Sequence, residues 1–449
     1  MTAAASRMTR LRRLIGADFH VVATLMSRGW SVIAGGLTVA LVPFLLSSLD
    51  QGYYYTFSSL LGLQILFELG LGQVIMQLVG HDVAHLQHVE NERLTGDSTR
   101  LDRLTSLMRL LRRWYVVAGG LFMIVGGLGG AAFIAAHGHL RLLDWIGVWA
   151  VLVLCTGINL TYIPSLSFLE GCGQIGQVAR LRLTQSVLGY AALWTALICG
   201  AGLWSACMVP LATTIVSAVW LRNFGGVQRW LLHRTMTSGE RLLHWRQDVL
   251  PFQWRIALSA LSGYFIFYAF TPLIFAQRGA AEAGRFGIAM TVFNALAAVG
   301  TSWVHAKTPT MAMHVSRCER RELNTVFDGV FRRSFLFTTA VAFSIVATVQ
   351  GLLMLGVPQA HRISEPMVLV CLALVSTTNS IIFSMAAYMR AHREEPMLGV
   401  SLFGAAVTVL IAYFATAHSV LLMSALYALL TVGILLPWTV SLFLRYRRR

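Results

Sequence analysis

Glu68 stands fourteen residues into the apolar run 54–80. On insertion scales an ionised acid at such a depth costs about 2.5–3.5 kcal/mol, so Glu68 must be protonated, paired or turned to a watery cavity. It reads as a group that takes up a cation or proton or binds hydroxyl groups, or as a structural acid satisfied by neighbouring helices. Gln64 lies one turn earlier on the same helical face and extends a polar stripe. Asn159 with Thr161 and Tyr162, Asn379 with Thr377 and Thr378, and Asn294 are further polar groups inside apolar runs. They fit a cavity lining that binds hydroxyl groups, and equally fit hydrogen bonds between helices. Arg28 lies inside an apolar run and Arg255 just before one. A planar guanidinium fork suits a phosphate, whereas a flanking arginine that snorkels to the interface only sets orientation. Lys307 has a similar place after the run 286–306, and Tyr264 and Tyr268, four apart, share a face that could stack on sugar rings or simply pack.

The elements that position these groups are membrane helices. Apolar runs recur from Val22 to Leu444, each long enough for a hydrocarbon core of about 30 Å. They predict an all-α polytopic protein of about twelve spans: 22–48, 54–80, 114–137, 146–169, 184–204, 206–222, 256–276, 286–306, 334–356, 366–389, 398–416 and 419–444. An even number puts both termini on one side. Thirty of the 35 basic residues fall in the segments of that side, and the opposite side holds Arg141, Arg278, Arg285 and Arg362. Basic residues resist translocation, so the rich side is predicted to be cytoplasmic, with both termini on that side.

A hydrophobic fraction of 56% with 12% charged residues excludes a soluble domain of this length. The net charge of +16 is spread over short loops, where topology and anionic headgroups account for it, so membrane lipids rather than nucleic acid are the expected partners. Arg10, Arg12 and Arg13 before an apolar stretch imitate a signal peptide, but the stretch is too long and lacks a small-x-small site, which predicts an uncleaved anchor. The six cysteines include no CxxC pair and support neither a disulfide framework nor a zinc site. His81, His85 and His88 have a spacing that could hold a metal, but beside Asp82 and Glu90 they read better as a solvated face, and no metal or cofactor is expected. Gly126-x-x-x-Gly130 inside a span reads as a close helix contact, and no GxxxxGK[ST] sequence occurs, so ATP bound to this chain is not the energy source. The arginine-poor loops are about ten residues or fewer, which leaves no room for the long outer loop through which membrane polymerases and lipid-linked glycosyltransferases usually act, and argues against an enzyme.

The chain looks duplicated. Thr156-Gly-Ile-Asn159 followed eleven residues later by Glu170 matches Ser376-Thr-Thr-Asn379 followed by Arg390. A looser match pairs Arg28, Pro43 and Gly52-Tyr-Tyr-Tyr-Thr with Arg255, Pro272 and Gly284-Arg-Phe-Gly-Ile. This predicts two six-helix halves, 1–222 and 251–449, joined by a basic connector 223–250 and related by a parallel pseudo-twofold repeat with a central cavity.

Gly52-Tyr-Tyr-Tyr-Thr-Phe-Ser-Ser-Leu-Leu, Phe67-Glu-Leu-Gly-Leu-Gly, His81-Asp-Val-Ala-His-Leu and the Leu169-Glu-Gly-Cys-Gly-Gln turn resemble the bacterial polysaccharide and O-antigen flippases of the multidrug/oligosaccharidyl-lipid/polysaccharide exporter superfamily. The sharp motifs lie in the first 90 residues and around 156–176, and the six-plus-six architecture extends the likeness over the whole chain. The resemblance implies a carrier that moves an undecaprenyl-pyrophosphate-linked oligosaccharide from the cytoplasmic to the periplasmic leaflet by alternating access, driven by an ion gradient or the membrane potential. It also implies polysaccharide polymerase and chain-length proteins as possible partners. Arg28 and Arg255, with Asn159, Asn294 and Asn379, would then meet the headgroup and sugars, and Glu68 with Gln64 would serve ion coupling or line the cavity. Other exporters of the superfamily remain open as alternatives: a multidrug exporter, though that would favour buried acids in both halves, or a peptidoglycan-precursor flippase, though those usually have fourteen spans.

Overall fold

Runs of Leu, Ala, Val, Gly and Phe without charge leave a backbone in lipid no partner but itself, and helices are the result. The computed structural model describes residues 19–83, 86–89, 93–235, 250–392 and 396–448. In chain order the helices are α1 (Phe19–Leu45), α2 (Ser48–Leu61), α3 (Leu71–Val83), α4 (Ser98–Leu121), α5 (Gly127–His137), α6 (Leu142–Gly171), α7 (Ile175–Ile198), α8 (Met208–Phe224) and α9 (Gly226–His233). They continue as α10 (Leu250–Phe267), α11 (Phe270–Arg278), α12 (Ala280–Ser316), α13 (Arg320–Met354), α14 (Pro366–Arg390), α15 (Leu398–Thr416), α16 (Val420–Leu430) and α17 (Leu436–Arg448). A small antiparallel hairpin, β1 (Gln87–Val89) with β2 (Arg93–Thr95), pairs His88 with Leu94. π turns at Phe122–Gly126 and Thr431–Leu435 join α4 to α5 and α16 to α17.

Among the described residues nine helical segments are long and apolar enough to cross a membrane. Helices also stand at the other three expected places. α1 has its apolar stretch at Ile33–Leu45, α7 carries Arg180 and Arg182, and the second span is interrupted. After α2 the chain tightens into a 3-10 turn, Gly62–Gln64, makes one α turn, Ile65–Glu68, and breaks. Leu69 and Gly70 both take left-handed backbone, with φ of 53° and 66°. Gly70 is doubly required, because a Cβ there would also lie 2.5 Å from Ile256 Cγ2. The seventh span breaks for another reason. Pro272 has no N–H for the carbonyl four residues before it, and the helix is interrupted there, between Phe267 and Phe270.

The segment 81–113, expected as a basic loop, is largely helical. Asp97 accepts a hydrogen bond from the Thr99 N–H and caps α4. α4 then runs unbroken from there into the third span. Its stripe Leu101, Leu104, Leu107, Met108 and Leu111 is buried with Leu71, Val74, Ile75, Val79, Leu94, Phe168, Val227 and Leu231. α9, part of the expected connector, places Val227, Gln228 and Leu231 in this core. Several arginines assigned to topology are structural here. Arg103 pairs with the buried Asp82 at 3.6 Å, and Arg234 pairs with the buried Asp102 at 2.5 Å. Arg109 donates to the carbonyls of Leu232 and Arg234, and Arg182 pairs with Glu170 at 2.9 Å.

The chain divides into two compact units, whose boundaries do not follow the expected halves. One gathers the described residues up to Thr38, Gln64–Ala131 and Leu143–Ala257; the other gathers Val39–Leu63, Ala132–Leu142 and the described residues from Leu258 onward. Within the second unit, α2 packs along α12 at the two glycines matched in the duplication. A Cβ on Gly284 would lie 2.8 Å from the Gly52 nitrogen, and one on Gly52 would collide with the Ala280 carbonyl. Within the first unit, the close contact expected at Gly126-x-x-x-Gly130 is instead made by Gly119, where a Cβ would lie 2.7 Å from the Gly157 carbonyl, and by Gly130 against the Trp149 ring. Gly126 faces Phe122 of its own helix.

Candidate functional site at the interrupted second span

A helix end leaves its last carbonyls without helical partners, and in lipid such a break is tolerated only against protein or water. Glu68 is the last residue before the break, half-buried. Its Oε1 would lie 3.3 Å from a Cβ on Gly72, and the same bare face of Gly72 meets Ser167 Oγ at 3.2 Å. Tyr115, fully buried on α4, lies close enough to feel the Glu68 charge. Its hydroxyl has no hydrogen-bond partner. Among the described residues, no hydrogen bond or ion pair to the Glu68 carboxylate or the Ser167 hydroxyl is formed either. The break thus gathers a carboxylate, a phenol and an alcohol, all oxygen groups with free capacity, which is the chemistry of a proton or hard-cation site or of a hydroxyl-binding surface.

This cluster lies nearer the arginine-rich face than the mid-depth expected for Glu68. Ser167 is four residues from the end of α6, about 6 Å along the axis, and Tyr115 follows Arg112 and Arg113. Gln64, expected on the same face one turn before Glu68, instead closes the 3-10 turn and is half-buried. The tighter 3-10 winding disrupts the i to i+4 register on which the expected stripe depended.

The matched amides are interhelical ties. Asn159 donates to the Pro210 carbonyl at 3.5 Å, where Thr214 also donates, and its own Oδ1 is buried without a partner. Asn379 is buried near the Tyr427 hydroxyl, which donates to the Ile266 carbonyl. Around it Ser376 donates to the Phe293 carbonyl, and Ser380 bonds Ser334 and Thr338. Asn294 is half-buried. Tyr264 and Tyr268 stack on each other, with centroids 6.0 Å apart, beside the bare face of Gly62; Tyr264 is buried and only Tyr268 is open. Arg28 lies in α1 and Arg255 in α10, and their side chains lie outside the described residues.

Sequence reasoning missed Tyr115, Ser167 and the break itself. The signal for the break was present in the spaced glycines of Glu68-Leu-Gly-Leu-Gly. Nothing local marks Tyr115 and Ser167, which are brought in by tertiary packing. Asp82 and Asp102 were also missed as buried anchors, though each stands among arginines on a helix with an apolar stripe. Among the described residues no group of three His, Cys, Asp or Glu side chains is placed to hold a metal ion.

No protein-family model matches the chain, and no curated protein is similar to it in sequence. Solved structures are similar in fold. The lipid II flippase MurJ, in an inward closed conformation, superposes with a TM-score of 0.66 at 10% identity, over 94% of this chain and 86% of that one. An inward-facing multidrug resistance MATE family transporter of the MOP superfamily gives 0.62 at 14% identity, over 96% and 98%. An outward-facing MATE transporter gives 0.55 at 13%, over 95% of each. The chain therefore shares the fold of these solved structures, a multi-pass helical membrane architecture.

Proposed function

We propose that the chain flips an undecaprenyl-pyrophosphate-linked oligosaccharide from the cytoplasmic to the periplasmic leaflet of a bacterial inner membrane, by alternating access, for cell-surface polysaccharide synthesis. The observation that carries this reading is the set of oxygens at Glu68, Tyr115 and Ser167 that find no partner among the described residues, held at a broken span in a fold shared with a lipid II flippase over 94% of the chain. Broken helices with free polar groups are where carriers of this kind bind substrate and coupling ions. A lipid-linked cargo agrees with the polysaccharide-flippase signature at Gly52–Leu61, Phe67–Gly72 and Leu169–Gln174.

Within this reading Glu68 takes the coupling cation or proton, and Arg28 and Arg255 meet the pyrophosphate as it enters from the arginine-rich side. Asn294 and Tyr268 are left to bind sugar, since Asn159 is tied through its Nδ2 to the Pro210 carbonyl and Asn379 is buried. Polysaccharide polymerase and chain-length proteins would act on the delivered product.

The MATE likeness, which covers 98% of that transporter, favours a second reading as a multidrug exporter. The two separate in proteoliposomes. Transfer of a fluorescent polyprenyl-pyrophosphate oligosaccharide between leaflets is expected under an ion gradient; drug efflux without such transfer would replace the first reading by the second.

A further inference from the structure

Far along the sequence from Glu68, three connections at the arginine-poor face of the second unit enclose a cavity of about 220 Å³. Its lining includes Arg278, Glu282, Arg285, Ser364, Glu365 and His418. We infer that this cavity binds the phosphate-bearing sugar of a glycan, an anionic and polyhydroxylated group of about monosaccharide size.

The charges are held apart and available. Arg278 donates its Nε to the Thr416 carbonyl at 2.9 Å, which fixes the guanidinium, and among the described residues neither terminal nitrogen is engaged. Arg285 is exposed. Among the described residues, no ion pair joins either arginine to Glu282 or Glu365. Opposite charges around one cavity would ordinarily close on each other, so their separation leaves all of them for a ligand. Three helices, α12, α14 and α16, start at this cavity. Neither Gly279 nor Glu365 makes a side-chain cap for the first two, and the positive ends of these helix dipoles favour an anion. Ser364 is 95% buried, lines the cavity and has no hydrogen-bond partner among the described residues. Its hydroxyl is open to the cavity and available to a ligand.

The mixture of charges selects the ligand. The arginines and helix starts suit a phosphate through paired charge-assisted bonds, while Glu282, Glu365, His418 and Ser364 suit neighbouring hydroxyls. The volume equals roughly seven waters at about 30 Å³ each, below the range of about 300–1,000 Å³ usual for drug-sized ligands. The duplication sharpens this. Arg285 follows Gly284 as Tyr53 follows Gly52, yet Tyr53 is fully buried, with its hydroxyl accepting the Leu140 N–H. The first half closes the position that the second half leaves open and charged.

The identity of the glycan as a lipid-linked cargo rests on the proposed function, but binding is tested without transport. Full-length protein in phosphatidylcholine nanodiscs would be titrated calorimetrically with glucose 1-phosphate, glucose and inorganic phosphate. Glucose 1-phosphate is expected to bind more tightly than either fragment, and Arg285→Gln and Glu282→Gln should each weaken it at least tenfold. Arg285 is exposed, so its replacement leaves folding intact; unchanged binding in Arg285→Gln, or none in the parent, overturns the site. Loss of binding in nanodiscs containing phosphatidylglycerol would assign the cavity to a phospholipid headgroup and also overturn the proposal, whereas undiminished binding supports it. If glucose 1-phosphate binds but no lipid-linked oligosaccharide is flipped, the cavity stands and the proposed function falls.

Discussion

Two groups of polar side chains lie within apolar spans, and they differ in how their hydrogen bonds are met. Along α14, Ser376 and Ser380 each find a partner on a neighbouring helix, the Phe293 carbonyl for the first and Ser334 with Thr338 for the second, and Asn379 is buried between them. At the interrupted second span, Glu68, Ser167 and Tyr115 crowd the bare side of Gly72 or the charge beside it and find none among the described residues. Both groups are equally polar as sequence. A satisfied set rigidifies the packing of helices, whereas an unsatisfied set keeps an unmet demand that an ion, a proton or a hydroxyl can fill. The contrast teaches that residual hydrogen-bonding capacity, rather than polarity, separates a candidate site from a seam.

The most severe way to break the comparison is Glu68→Gln. It keeps size and hydrogen bonding but cannot carry a charge or a proton. Gradient-driven transfer in proteoliposomes is expected to fall at least tenfold, a loss of about 1.4 kcal/mol or more in driving the limiting step, while gradient-independent exchange and thermal stability persist. Full gradient-driven activity would move Glu68 to the class of Asn379.

Asn379→Ala tests the other side. Truncating this buried side chain costs about 0.5–3 kcal/mol through lost packing and polar contact, while Tyr427 keeps its bond to the Ile266 carbonyl. A lower melting temperature is expected in detergent, with transport per folded molecule unchanged. A variant of normal stability that fails to transport would make the seam part of the site.

Much of this was legible beforehand, and the remainder has physical reasons. Span positions, the arginine bias and the oddness of Glu68 follow from lipid as a solvent, which acts on every residue by type. The glycine contacts were foreseen in kind but not in partner, since Gly119 and Gly130, rather than Gly126, meet the neighbouring helix. The helix Ser98–Leu111 was hidden because its arginines were counted for topology, although Asp97 and the leucine stripe announce it. Neither the depth of Glu68 nor the company of Tyr115 and Ser167 could be read, because both depend on where one helix breaks and how three pack.

Gly72→Ala sharpens the geometry of the open cluster. The new methyl would stand 3.3 Å from Glu68 Oε1 and 3.2 Å from Ser167 Oγ, so both side chains must give way by a few tenths of an ångström. Transport should fall several-fold, because misplacement of a positioned group is costly even when its chemistry is intact. Gly80→Ala is the control, with its neighbour, the Gly171 carbonyl, at 3.6 Å, and should leave transport unchanged. Equal effects of the two would attribute the loss to helix packing.

Tyr115→Phe is the mildest change and the most discriminating. The ring stays in its fully buried place and only a hydroxyl without a partner is removed. An unsatisfied buried polar group carries its whole desolvation cost, so its loss is expected to raise stability by up to about 1 kcal/mol. If that hydroxyl is held open for an occupant beside Glu68, the same variant should slow gradient-driven transfer about twofold, roughly 0.4 kcal/mol on the barrier. A protein more stable yet slower would be hard to explain by packing alone, since the phenyl ring preserves every apolar contact. Unchanged transport at raised stability would leave Glu68 and Ser167 as the whole of the open cluster, and a loss of stability would mean that the hydroxyl is satisfied after all.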